Sequence, residues 1–374
     1  MKKKRIEELH FIRSIACLCV VFVHSMTRVV EIHEYALSES QITLLMTLRL
    51  LFTFGTPIFI FLSEFLISYA YGPEVPKHFL RKRAQYILIP YVSMSVLYAV
   101  IMVHESRETL ISEGLFSSFL VYIFQNLFFG FYNHGFFIVV IFQFYLLHQW
   151  LGKWLEDNRA KLILPISLAV NLLYLSYFNM TPYPDIAYGE YVWRALSWVP
   201  FPSWLFYFTL GYYGGRNFEV LKEKTMNMGK KSILAPILAG MLVFYFYSQA
   251  IITEDSSRRI DIVFLSTSMI FILFRQAFQM KRIPIIFHLL NKFSFGIYLL
   301  HMFFLYWITY GIETYRLMLI HPIVTLVLLF AISTVGSILA TDMISRFSFG
   351  FYIVGKKPDY HWRWYGQNRK QLHF

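Results

Sequence analysis

The sequence predicts an all-α polytopic membrane protein with about ten transmembrane helices, both termini cytoplasmic and a re-entrant or interfacial outer segment near 115–131. Three observations lead there. Of 374 residues, 57% are hydrophobic and only 15% charged, where a soluble domain of ordinary composition carries about 25% charged residues. Apolar stretches recur along the whole chain at lengths that suit a bilayer core, which takes about 20 helical residues. The basic residues are also distributed with a bias that only one number of crossings explains.

The candidate spans are 11–30, 43–70, 84–103, 135–152, 160–178, 201–215, 232–252, 261–278, 293–311 and 320–344. The first follows MKKKR and has the flanks of a secretory signal. Its apolar run is about 20 residues long with no small-residue cleavage site after it, so it is read as a retained helix. The stretch 115–131 is decided by charge. With ten spans and 115–131 not crossing, 26 of the 34 basic residues fall on cytoplasmic ends, among them Lys2 to Arg5, Arg81 to Arg83, Lys153 and Lys230. Six fall outside, Arg28, Arg107, Arg194, Arg258, Arg259 and Arg316, and Arg13 and Arg49 lie within spans. If 115–131 crossed, every later loop would change sides and the positive-inside asymmetry would vanish. The net charge of +12, which in a soluble protein would raise nucleic-acid binding, is therefore topological, and no nucleic-acid partner is expected. The outer loops are short and acidic, with Glu105, Glu108, Glu113, Asp185, Glu190, Glu254 and Asp255 among their residues. The longest, 179–200, contains TPYPDIAYGEYVW, read as an interfacial aromatic belt in preference to a carbohydrate-facing rim. Residues 1–350 form one transmembrane domain, and 351–374 a short basic aromatic cytoplasmic tail that suits a membrane-surface anchor. Membrane lipid is the first partner.

Charges inside hydrocarbon are costly, so each intramembrane ionisable group is a candidate for function. These are Arg13, His24, Arg49, Glu64, His301 and Asp342, with His134 at the edge of a span. Arg13 and His24 are 11 residues apart, a net rotation of about 20°, which puts both on one helix face about 16 Å apart along the axis. Glu64 falls at the depth of Arg13, and an Arg13–Glu64 ion pair is its plain structural explanation. Arg49, at the outer end of its span, is read as snorkelling to the headgroups. Tyr298 lies one turn before His301, and a buried side-chain hydrogen bond between them would explain both. Asp342 and Arg346 form an ordinary helix pair. Arg81, Lys82 and Arg83 flank a helix N-terminus, which suits phosphate as well as topology. Cys17 and Cys19, the only cysteines, point away from each other on one helix, so neither a disulfide nor a cysteine metal site is expected. GxxxxGK[ST], GxGxxG after a strand, HExxH and GxSxG are all absent, which disfavours ATP-driven transport by this chain.

Five segments, in order, resemble the signatures of the membrane-bound acyltransferase 3 family: FIRSIACLCVVFVH (11–24, an R-x10-H first helix), FGTPIFIFLSEF (54–65), RKRAQYILIPY (81–91), NHGFFIVVIFQFYLL (133–147) and FGIYLLH (295–301). The wording FGTP, YILIPY and FFIVVIFQF is nearest the branch of that family found in biofilm operons, whose members have been regarded both as exporters and as O-succinyl modifiers of poly-N-acetylglucosamine. The resemblance implies a bacterial plasma-membrane enzyme that moves an acetyl or succinyl group from cytoplasmic acyl-CoA to a hydroxyl of a cell-surface glycan, without a metal. It assigns His24, Arg13 and His134 to catalysis and Arg83, Arg81 and Lys82 to the donor phosphates, with Glu64, Arg49, Tyr298 and His301 in support. A polysaccharide synthase complex is a further partner it suggests. Three departures stand out: Ser63-Glu64-Phe65 where the family has SGF, Arg83-x-x-Tyr86 where it has RxxR, and Phe136 where a Trp usually follows the histidine. The alternative is a non-catalytic exporter or synthesis partner of such a polysaccharide. A general solute transporter is disfavoured by the lack of inverted repeats and of matched broken helices.

Overall fold

A computed structural model describes residues 6–107, 114–155, 159–186, 189–315 and 321–356. Lys2 to Arg5, Glu108, Glu113, Arg316 and the tail beyond Lys356 lie outside the described residues. Those described are helical, with no strand among them. In chain order the helices are α1 (Glu8–Ile32), α2 (Glu39–Leu51), α3 (Gly55–Tyr71), α4 (Phe79–Arg83), α5 (Ile89–Glu105), α6 (Leu115–Gln125), α7 (Phe136–Leu151), α8 (Ala160–Met180), α9 (Gly189–Trp198), α10 (Leu205–Arg216), α11 (Phe218–Met226), α12 (Leu234–Ser248), α13 (Ile260–Gln279), α14 (Ile285–Thr314), α15 (Pro322–Ser345) and α16 (Phe351–Val354).

Among the described residues, eight helical stretches are long and apolar enough to cross a bilayer. They coincide with eight of the ten expected spans; the other two fall on shorter helices, α7 and α10. The expected span 43–70 is broken. Pro57, in the first turn of α3, has no N–H to continue the ladder from α2, and the chain bends through Phe52 and Thr53, whose hydroxyl donates to the Leu50 carbonyl at 2.7 Å. The other end of α2 is set by a capping box in which Ser38 and Gln41 exchange bonds.

The segment 115–131 enters and returns on one side. Tyr122 donates to Ser106 just past the end of α5, and Tyr132 reaches Glu105 at the same end. Asn126, between them, bonds the Ser95 carbonyl, about 15 Å deeper along α5. The reversal is made by a π-helical turn over Asn126–Gly130 and a 3₁₀ turn over Phe131–Asn133, with Gly130 at φ 95° and Tyr132 at φ 43°.

At the centre α1 and α14 run parallel. His10 meets His288, Phe11 meets Phe287 and His24 meets His301. α15 runs antiparallel to α1, joined by His33 and Thr325 at 3.0 Å. α3 and α10 approach closely through glycines: a Cβ on Gly211 would lie 2.6 Å from the Phe61 carbonyl oxygen and one on Gly215 2.4 Å from that of Phe65, the small-residue packing that membrane helices favour. We call the end that carries Arg81 to Arg83 the basic end and the opposite end the cavity end.

Candidate active site

A cavity of about 520 Å³ opens among α1, α2, α3, α5, the re-entrant turn, α7, α9, α14 and the loop 249–259. Its wall includes His24 and, one turn deeper on α1, Val20; no residue of α1 nearer to Arg13 lines it. Along the face that Arg13 and His24 share, the cavity therefore reaches only as deep as Val20, and Ala16 and Cys17 below it are buried.

Three histidines converge at the cavity. The ring of His24 lies 5.3 Å from that of His301 and 6.1 Å from that of His134, and the latter two are 5.0 Å apart. His134 is delivered by the return of the re-entrant segment. A Cβ on Gly130 would sit 2.1 Å from the Phe136 nitrogen, and one on Gly135 2.5 Å from the Phe131 nitrogen, so only glycine fits this reversal. The His134 Nδ1 faces the Tyr132 carbonyl at 3.0 Å. A carbonyl can only accept, so Nδ1 carries the proton and the buried Nε2, which has no partner, presents a lone pair.

The expected hydrogen bond between the Tyr298 and His301 side chains is not formed. Tyr298 donates instead to the His134 carbonyl, and His301 Nδ1 bonds the backbone carbonyls of Ile297 and Tyr298. The phenol reaches across to the re-entrant turn, while the His301 Nδ1 is bonded within its own helix turn.

Each of the four arginines that line the cavity has a carboxylate. Arg28 pairs with Glu31 at 2.8 Å, Arg49 with Asp255 at 3.5 Å, Arg194 with Glu190 at 3.8 Å and Arg258 with Glu254 at 2.5 Å. Arg49 thus does not snorkel. It is buried, its Nε donates to the Thr27 hydroxyl at 2.6 Å and it also bonds the Asp255 carbonyl, because the break after α2 turns it toward the loop. The loop 179–200 that contains TPYPDIAYGEYVW is likewise more than an aromatic belt: Tyr191 of that segment, and Arg194 and Trp198 after it, line the cavity. Burial pushes the Tyr191 phenol up to about 12, so it stays protonated. The Arg258 guanidinium, drawn down by burial and supported by Glu254, covers the Trp198 ring at 4.6 Å, and Phe136 stacks on that ring at 5.3 Å. The loop 249–259 that carries Asp255 is anchored by Arg259, fully buried and bidentate to Asp261 at 3.0 and 2.6 Å.

At the basic end, Arg13 and Arg83 are electrostatic neighbours beside Tyr145. Arg83 lies over the rings of Phe79 and Tyr145, 5.1 and 5.8 Å from their centroids. Neither arginine has a carboxylate partner among the described residues. Arg81 and Lys82 are exposed. The expected Arg13–Glu64 pair is absent because Glu64 faces α7, where its carboxyl meets His148 Nδ1 at 2.6 Å with both groups fully buried. His148 Nε2 donates to the Gly72 carbonyl at 3.0 Å, so one proton is shared between Nδ1 and the carboxyl and the pair is neutral overall. Asp342 pairs with Arg346 at 2.5 Å, as expected. Cys17 and Cys19 are free and buried. No group of three His, Cys, Asp or Glu among the described residues is arranged to hold a metal ion. Sequence reasoning missed His148, Tyr145, Tyr132 and Arg258; only His148, a further ionisable group within a span, carried a readable signal.

A family model described as an acyltransferase domain (acyltransferase 3) matches residues 6–342. The chain belongs to the acyltransferase 3 family. This acyltransferase is 36% identical over 356 residues to a Bacillus subtilis protein provisionally named membrane-bound acyltransferase YfiQ, covering 94% of this chain and 95% of that one. It is 30% identical over 377 residues to a Staphylococcus aureus protein provisionally named poly-β-1,6-N-acetyl-D-glucosamine export protein, covering 96% and 98%. A Staphylococcus epidermidis protein with the same provisional name is 28% identical over 307 residues, covering 80% and 81%. No solved structure matches the chain. With eight helices among the described residues long and apolar enough to cross a bilayer, the acyltransferase is a multi-pass bacterial membrane protein.

Proposed function

We propose that the enzyme transfers an acetyl or succinyl group from cytoplasmic acyl-CoA to a hydroxyl of a neutral extracytoplasmic polysaccharide. The observation that carries this reading is the contrast between the two ends of α1. At the basic end Arg13 and Arg83 lack carboxylates, which suits the phosphates of CoA, while exposed Arg81 and Lys82 add positive field. At the cavity end the four arginines that line the cavity are each paired with a carboxylate, which leaves a polar, electrically compensated wall that also holds Tyr191 and Trp198. Such a wall suits a polyhydroxylated neutral sugar and offers no surplus charge to a polyanion.

His24, between the two ends, takes the role of general base. The acceptor oxygen attacks the thioester carbonyl, a C–O bond forms and the C–S bond breaks. The hydroxyl proton passes to His24 and from there to the CoA thiolate, so no external proton is consumed. For the acyl group to reach His24, the packing around Ala16 and Cys17 has to part.

The test uses the purified protein in liposomes with acetyl- or succinyl-CoA on one side. On the other side are placed β-1,6-linked N-acetylglucosamine oligomers or, in a parallel sample, polyglycerol phosphate. Ester mass shifts on the neutral oligomer and none on the polyanion support the reading. Folded protein that binds CoA and acylates neither compound would instead favour an export or synthesis-partner role, of which export is the one named for the staphylococcal relatives.

A further inference from the structure

Two imidazoles at or beside the cavity, His134 and His301, have no step in the mechanism above. His301 does not line the cavity, yet it is fully buried and its ring lies 5.3 Å from His24. Its Nδ1 faces two backbone carbonyls, those of Ile297 and Tyr298, each at 2.9 Å. Carbonyls accept only, so Nδ1 holds the proton and Nε2 holds a lone pair. That Nε2 is buried without a partner, and a bare acceptor in the interior is costly.

His24 has the complementary group. It makes no hydrogen bond to any described residue, and a neutral imidazole offers one N–H beside one lone pair. Two imidazoles joined by N–H···N have centroids about 5 Å apart, close to the observed 5.3 Å to His301 and shorter than the 6.1 Å to His134. The two rings are not hydrogen-bonded as they stand, so the His24 ring has to rotate to set its N–H on the His301 lone pair. The His24 ring faces the cavity and His301 stands away from it, so the bond would leave the other His24 nitrogen bare toward the acceptor.

We propose that His301 is the positioning residue for His24: its Nε2 accepts the His24 N–H and so fixes the tautomer and ring plane that put a lone pair into the cavity. This rests on the acyl-transfer reading for its chemical use. A carboxylate commonly holds a catalytic histidine in this way; here an uncharged ring does so, and no unpaired ion has to be kept in hydrocarbon. The backbone carbonyls of α14 in turn fix the tautomer of His301, so the chain of orientation begins in a regular helix.

The experiment measures the reactivity of His24 itself. Diethyl pyrocarbonate reacts with the bare nitrogen of an imidazole, and peptide mapping of the purified full-length protein gives the rate at His24. The wild type is expected to be modified there. His301→Leu, which keeps the volume and removes the lone pair, slows the reaction about tenfold. His301→Gln, whose amide oxygen can accept the same N–H, brings the rate back to within about threefold of wild type. His301→Ala is made in parallel, and retention of CoA binding selects the folded variants. An unreactive His24 in the wild type overturns the proposal, as does an unchanged rate in the folded Leu or Ala variant, or a Gln variant no faster than these. If His24 reactivity depends on His301 while the wild type transfers no acyl group, the positioning role stands and the acyl-transfer reading fails.

Discussion

Arg13 and His24 share one face of α1 because 11 residues make nearly three whole turns, and that relation was legible before any fold was known. Their lateral neighbours were not. Depth along a helix says which residues lie at one level and leaves open which helix each side chain faces. Glu64 therefore matched Arg13 in depth yet turned to His148 on α7. His301 was read as a partner of its neighbour Tyr298, although the contact that matters crosses from α14 to α1. The release of Arg13 from Glu64 has a kinetic consequence. Replacing Arg13 or Arg83 by Gln is expected to raise KM for acyl-CoA about tenfold, the worth of one charge-assisted contact, while kcat changes less. Steady-state kinetics in detergent with acyl-CoA varied would separate the two, and a loss confined to kcat would place these arginines away from the donor.

At the scale of elements, the re-entrant segment is the piece that charge counting could read and hydropathy could not. An apolar run of this length is compatible with crossing, and only the placement of later lysines and arginines argues against it. The way the segment turns was hidden, because it depends on two glycines whose need appears only when Phe131 and Phe136 are in place. The same holds for the break between α2 and α3: Pro57 was in view, but a single proline does not say whether a membrane helix kinks or stops. Gly130 sits at φ 95° against the Phe136 backbone, so Gly130→Ala adds both a clash and about 1 kcal/mol or more of backbone strain. Its expected effect is a lower thermal midpoint together with loss of transfer activity, since His134 follows four residues later. Fluorescence-monitored melting in detergent checks the first; an unaltered midpoint with full activity would mean that the turn does not position His134.

For the whole molecule, the parallel pairing of α1 with α14 and the antiparallel pairing of α1 with α15 agree with ten spans, in which the first and ninth run the same way. The sequence order alone could not make the first and ninth helices neighbours, because adjacency in a bundle is decided by packing of small and hydroxyl-bearing faces such as that of α15, where Thr325, Ser333, Ser337 and Thr341 are buried. Ten spans also predict the side on which Lys153 lies. In a variant with Cys17 and Cys19 replaced by Ser, Lys153→Cys should react with an impermeant maleimide only after the cells are permeabilised. Labelling of intact cells would mean that 115–131 crosses. The account as a whole depends on His24 as the reacting base between a phosphate-binding end and a sugar-binding end. The most direct measurement compares wild type and His24→Ala, purified in detergent, for CoA release from acetyl- or succinyl-CoA in the presence of neutral glycan oligomers. Acceptor-dependent release by wild type, reduced by about 100-fold or more in a folded variant, is the predicted result; equal release by both proteins would contradict it.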